Sequence, residues 1–245
     1  MQDRYVADIG DFGKYALLRA LAGNDLRLGV HWYRNADEET NRDGRFTDYL
    51  HLRGCDPPLY DALHDLLCSG RRSIPAVESA NVLPSGTVFH SSPLSSRNAQ
   101  DRTSRLTQRL VWNAQALDVL ASADIIFLDP DNGFPGRSAK PASITGSKYV
   151  FPDELKPYLQ REQSLVVYHH QTREKGGLAT TLPLKFHMLR SLGFEHAWAF
   201  IFRRVSVRVY FILPAPRHTA DLEARSARFL NTEWGLRRHF QLVRP

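Results

Sequence analysis

The chain has 245 residues, 42% of them hydrophobic, which suits one medium-sized α/β domain with a substantial core. Its 32 Lys and Arg against 26 Asp and Glu leave a net charge of +6; the excess suits an anionic partner such as nucleic acid, and an arginine-rich coding bias would give the same balance. No apolar run approaches the ~20 residues that span a bilayer, the charged opening MQDRYVADIGDFGKY lacks the apolar stretch of a secretory signal, and Cys55 and Cys68 have no metal-ligand spacing, so the expectation is a cytoplasmic protein with free thiols and no membrane contact.

In chain order, Phe12 to Ala22 has helical spacing, with Leu17, Leu18 and Leu21 near one face and Asp11 placed as an N-cap. Residues 26–33 read as the first strand and 34–45 as a polar loop. A short helix is predicted over 60–67, irregular chain over 69–85, and a strand over 87–90. Residues 104–121 carry the clearest helical periodicity. The apolar run 125–128 is the central strand. A Gly/Ser/Lys-rich mobile loop over 135–147 and a short helix over 153–160, limited by Pro157, come next. Residues 165–168 form a strand that runs into His169-His170. A helix over 182–192 stops at Gly193, strands 197–202 and 207–213 pair through a tight polar turn, and a helix covers 221–230. This alternation predicts a single Rossmann-like domain, a mainly parallel sheet with helices on both faces and a C-terminal antiparallel hairpin, with an irregular insertion around 34–85.

The strand 125–128 ends at Asp129-Pro130-Asp131-Asn132-Gly133. Pro, Asn and Gly force a turn there, and in open α/β sheets ligands sit beyond the carboxyl ends of the strands. Asp129, Asp131 and Asn132 are therefore the candidate catalytic residues, although a well-formed turn alone would use the same residues.

Three features together resemble the J-type adenine-N6 methyltransferases of large-subunit ribosomal RNA, a class I S-adenosylmethionine-dependent family. The opening Gly10-Asp11-Phe12-Gly13-Lys14-Tyr15 is similar to that family's first helix, where Lys14-Tyr15 matches a Lys-His pair that contacts the cofactor. Asp129-Pro130 matches the first half of its Asp-Pro-Pro-Tyr motif. The later order of elements is similar as well. Asp131-Asn132 replaces the Pro-Tyr half, so the base-stacking aromatic is absent there, and the glycine-rich turn after the first strand is missing. The resemblance implies S-adenosylmethionine as cofactor, with Asp11, Lys14, Tyr15 and Tyr33 on the cofactor side, and a nucleic-acid amino group as substrate. Signatures such as Gly-Asp-Phe-Gly-Lys-Tyr and Asp-Pro-Asp-Asn-Gly also suit an uncharacterised bacterial family.

Other residues are candidates for substrate contact. Lys148 and Tyr149 follow the Gly/Ser/Lys loop, and Tyr149 is placed to supply the missing aromatic; an apolar latch closing that loop is the alternative. His169 and His170 occupy adjacent positions of an extended segment, so at most one of them faces the site. Arg173 and Lys175 just downstream, and Arg203, Arg204 and Arg208 in the hairpin, are candidates for phosphate contact. The oxygen-rich run Asp37, Glu38, Glu39, Asn41 and Asp43 lacks the calcium-loop pattern. Two further function classes remain open at this point. One is a Mg²⁺- or Mn²⁺-dependent nuclease or phosphodiesterase built on Asp129, Asp131 and one of the two histidines. The other is a non-catalytic nucleic-acid-binding protein. No Gly-X-Ser-X-Gly elbow and no phosphate-binding loop occurs.

Overall fold

A computed structural model describes residues 1–35, 44–94, 101–136, 138–171 and 176–245. In chain order the main elements are α1 (Ile9–Ala22), β1 (Leu28–Trp32), α2 (Pro57–Cys68), α3 (Ile74–Ser79), β2 (Val88–His90), α4 (Arg102–Val119), β3 (Ile125–Asp129), α5 (Lys156–Gln160), β4 (Ser164–His170), α6 (Gly177–Ser191), β5 (Trp198–Arg204), β6 (Ser206–Leu213), α7 (Thr219–Leu230), α8 (Glu233–Leu236) and β7 (Phe240–Val243).

The strands form one mixed sheet in the order β2-β1-β3-β4-β6-β5-β7. The four strands β2, β1, β3 and β4 are parallel. β6 then runs antiparallel between β4 and β5, and β7 pairs antiparallel with the outer side of β5. Alternate residues of each strand feed two cores. Val30, Phe127 and Val166 join α1, α2, α3, α7 and α8 on one face. Ile126, Leu128 and Val167 join α4, α5 and α6 on the other. Both faces are covered, which is why the β1 and β3 runs are buried at every position.

Several boundaries differ from the sequence reading. The N-cap of α1 is Asp8, whose carboxylate accepts from the Asp11 N–H at 2.9 Å. Residues 69–85 are not wholly irregular, since Ser73 caps α3. β4 extends through His169 and His170, so both lie within the strand. α6 starts at Gly177 and carries Pro183 inside it. The hairpin turn is not polar, because its apex is Val205. The loop over 135–147 is tied down in part: Arg105 Nε donates to Ala142 O at 2.8 Å and Arg109 Nη1 to Gly146 O at 2.8 Å. The strand β7 and the short helix α8 were not read from sequence at all. Asp37, Glu38, Glu39, Asn41 and Asp43, and likewise Arg173 and Lys175, lie outside the described residues. Among the described residues no helix is long and apolar enough to cross a membrane.

Candidate active site

The carboxyl end of β3 opens into a cleft of about 340 Å³ that faces the first turns of α1. Its lining brings together Asp8, Gly10, Asp11 and Lys14 from the start of α1 and Asp129, Asp131 and Asn132 from the β3 end. Lys148, His170 and Arg208 complete it with the aromatic pair Tyr168 and Tyr210.

The motif at the start of α1 is legible residue by residue. Gly10 is small because the Arg208 guanidinium lies where a Cβ would stand, and Gly13 because the Phe202 ring does. Asp11 accepts from the Ala7 N–H and the Tyr15 hydroxyl, each at 3.1 Å. Lys14 reaches across to β3 and pairs with Asp11 at 2.7 Å and Asp129 at 3.0 Å. All three of these groups are buried. Burial alone would pull the Lys14 ammonium down, but Asp11 and Asp129 more than offset it and hold its pKa well above the usual lysine range. Burial pushes the Asp129 carboxyl up, and Lys14 offsets only part of that.

Asp131 has a different partner. The Met1 ammonium stands 2.7 Å from Asp131 Oδ1, donates to Tyr33 O at 2.7 Å and reaches Asp129 O at 3.3 Å. Gln2 Nε2 donates to Asp131 Oδ2 at 2.9 Å. Burial opposes the Asp131 charge, yet the ammonium and the Gln2 amide outweigh it and hold its pKa below the ordinary carboxylate value. The Met1 sulfur lies 3.8 Å from Lys14 Nζ. The ends of the adjacent parallel strands β1 and β3 thus supply two carbonyls, and the turn supplies a carboxylate, all converging on one ammonium.

The turn itself is held by three backbone hydrogen bonds, two with the 148–150 segment and one with β4. Asn132 N donates to Lys148 O at 2.9 Å, Val150 N to Gly133 O at 3.0 Å, and His170 N to Asn132 O at 3.2 Å. Arg109 fixes the facing segment: its Nη2 donates to Tyr149 O at 2.7 Å and it pairs with Glu154. Glu154 in turn accepts from the Phe151 N–H at 2.9 Å and from Asn113 Nδ2 at 2.7 Å.

Of the residues singled out from sequence, Asp129, Asp131, Asn132, Asp11, Lys14, Lys148 and His170 line this cleft. Tyr15 lies beneath it, fully buried against Lys14 and Asp11. The Tyr33 carbonyl holds the ammonium, while its ring packs against His31 and Trp112 on the opposite face. Tyr149 is outside the lining and is engaged through its backbone. His169 points into the other core, where its Nδ1 accepts from the Phe134 N–H at 3.1 Å, and burial pulls its pKa down to about 3. Arg173 lies outside the described residues.

Tyr168, Tyr210 and Met1 were missed. Strand register holds the signal for the first two: Tyr168 is opposite Tyr210 and His170 opposite Arg208, so alternate residues of β4 and β6 build one wall. The Tyr210 hydroxyl is buried without a hydrogen-bond partner and belongs to the cleft lining. Among the described residues no three His, Cys, Asp or Glu side chains are placed to hold a metal ion. The trio of Asp129, Asp131 and His169 in particular does not converge, because His169 is on the far face.

No protein-family model matches this sequence, and no curated protein is similar to it at a significant level.

Proposed function

We propose that this chain is a methyltransferase-fold protein that uses S-adenosylmethionine to methylate an amino group of a nucleic acid at the cleft. The reading rests on the ammonium cradle. Asp131, the Tyr33 carbonyl and the Asp129 carbonyl surround a methionine ammonium whose thioether lies in the same cleft. The same donor set suits the amino-acid head of the cofactor, which must then take the place of Met1. The sheet order gives support, because a reversed strand slotted between the last two parallel ones is the pattern of class I methyltransferases.

Charge agrees with that assignment. The cleft lining sets four carboxylates, Asp8, Asp11, Asp129 and Asp131, against three cationic side chains, Lys14, Lys148 and Arg208, so displacing the Met1 ammonium leaves one negative charge that a cationic guest offsets. Bound there, the cofactor would supply an electrophilic methyl group. The chain's own residues do the positioning. An acceptor amino group that donates its two hydrogens to Asp129 and Asn132 turns its lone pair outward, and holding that geometry is the main catalytic contribution. Lys14 offsets part of the burial cost of the Asp129 charge and fixes the carboxyl in place.

A non-catalytic nucleic-acid-binding role is favoured by one observation, that Met1 itself fills the cradle. Calorimetric titration with S-adenosylmethionine and S-adenosylhomocysteine separates the two. Methylation requires binding heat and a raised melting temperature, both reduced in Asp131→Asn, and transfer of a labelled methyl group to RNA or DNA. Absence of heat and of any thermal shift with either ligand overturns it.

A further inference from the structure

Across the cleft from the Met1 cradle, three strands carry one row of polar side chains. Leu128 is opposite Val167, and Tyr168 is opposite Tyr210. Asp129, Tyr168 and Tyr210 therefore lie side by side on β3, β4 and β6, and alternation turns all three toward α1. All three line the cleft. Neighbouring strands are about 4.8 Å apart, so Tyr210 stands roughly 10 Å from Asp129 at the backbone, with Tyr168 between them. The cradle sits beyond the other end of this row, at the ends of β1 and β3.

The Tyr210 side chain is fully buried, and its hydroxyl has no hydrogen-bond partner. Burial holds the phenol protonated by raising its pKa well above the ordinary value. A buried donor that the chain leaves unsatisfied costs stability, and a guest atom that accepts from it removes the cost. Arg208, one α1-facing step nearer the mouth, lies against Gly10 and reaches Asp8 at 3.6 Å, longer than a hydrogen bond. It bridges sheet and helix loosely, so it can turn aside for a guest.

Tyr168 is half-buried, with its ring 5.8 Å from that of Tyr210 at 67° and its hydroxyl 3.5 Å from His170 Nδ1. The turn after β3 has no aromatic of its own, and Tyr149 is outside the lining. Tyr168 is the aromatic whose strand neighbour is Asp129.

We propose that this row is the acceptor subsite: a nucleobase places its amino group on Asp129, rests against the Tyr168 ring and accepts a hydrogen bond from Tyr210 at its opposite edge. The occupant is a planar nitrogen heterocycle with an amino group at one end and a hydrogen-bond acceptor at the other. The inference rests on the nucleic-acid substrate of the preceding reading and adds the two tyrosines that seat it.

The test is calorimetric titration of the full chain with adenosine, cytidine and guanosine, and with uridine as a control that lacks the amino group. At least one amino nucleoside should bind more tightly than uridine. Tyr210→Phe deletes an unpartnered hydroxyl, so the melting temperature should hold or rise while nucleoside binding weakens about fivefold. Tyr168→Leu should weaken binding about fivefold or more, and Tyr168→Phe, which keeps the ring, should restore it. S-adenosylmethionine should titrate in all three variants as in the wild type, because the cradle lies at the other end of the cleft. The proposal is overturned by no nucleoside binding at millimolar concentration, by uridine binding as tightly as the others, by Tyr210→Phe or Tyr168→Leu binding like the wild type, by a matching loss of S-adenosylmethionine binding, or by a lowered melting temperature in Tyr210→Phe. If the tyrosine variants lose nucleoside binding while S-adenosylmethionine gives no heat with the wild type, the subsite stands and methylation falls; if the cofactor binds and the variants bind nucleoside normally, the reverse holds.

Discussion

The Lys14 ammonium lies 3.0 Å from the Asp129 carboxylate, joining the first helix to the end of the central strand inside the protein. Asp11 holds the same ammonium at 2.7 Å from the other side. One cation between two acids, all buried, is a geometry in which no member can be removed cheaply. Desolvating three charges is offset only while they stay together.

Replacing Lys14 by Met keeps the length of the side chain and removes the charge. Two carboxylates are then buried next to each other, and the expected loss is about 3–5 kcal/mol in urea unfolding. Adding Asp129→Asn should recover part of that loss. If the double variant is the sum of the two singles, the ion pair is not what couples α1 to β3.

Gly133 has a φ of +88°, and a Cβ built there would lie 2.5 Å from His169 Cα. Gly133→Ala therefore combines strain with a backbone collision. The expected cost is about 1–3 kcal/mol or more, read as a lower melting temperature. A variant as stable as the wild type would show that the turn can move away from β4.

Arg109 links α4 to the segment that carries Lys148 and Tyr149. Arg109→Lys loses the forked contact to Glu154 and the two carbonyls together. Trypsin should then cut faster after Lys148, while cleavage sites elsewhere keep their wild-type rates. Unchanged cleavage there would mean that the loop is held by other contacts.

His169 sets a pH dependence. Its pKa is pulled from 6.5 to about 3 by burial, with Lys185 adding to the effect. The folded state therefore keeps it neutral while the unfolded chain takes up a proton below 6.5. Its stabilisation is full above that value and declines as pH falls toward 3. Between pH 7 and pH 5 the loss from this residue is about 2 kcal/mol. His169→Asn, which keeps an acceptor for the Phe134 N–H, should flatten the decline in urea midpoint; an equally steep decline would assign it to other groups.

The central strand and the hairpin were legible as apolar runs bounded by turn residues, and the first helix by its helical spacing of leucines. β7 was not, since Phe240-Gln241-Leu242-Val243 is only four residues at a sheet edge and follows a turn rich in Arg. α6 was read from residue 182, a start that puts Pro183 in the first turn where proline is tolerated, yet the helix begins at Gly177 and the packing of Leu182, Phe186 and Leu189 carries it through the proline. Within the cleft, Asp129 and Lys14 stood out as charges beside apolar runs. Tyr168 and Tyr210 did not, because aromatic residues in strands are ordinary core material until register shows which way they face. The meeting of Met1 with Asp131 has no local signal whatever, as it depends on a contact between distant parts of the chain.

Because β6 slots between β4 and β5, the sheet cannot be completed in the order in which it is synthesised. β4 leaves the ribosome with an unpaired edge, and that edge stays open until the hairpin folds back into the gap. Arg208 and Tyr210 arrive with this insertion, so a nascent chain holds Asp129 and Lys14 well before the cleft between them has its β4–β6 wall.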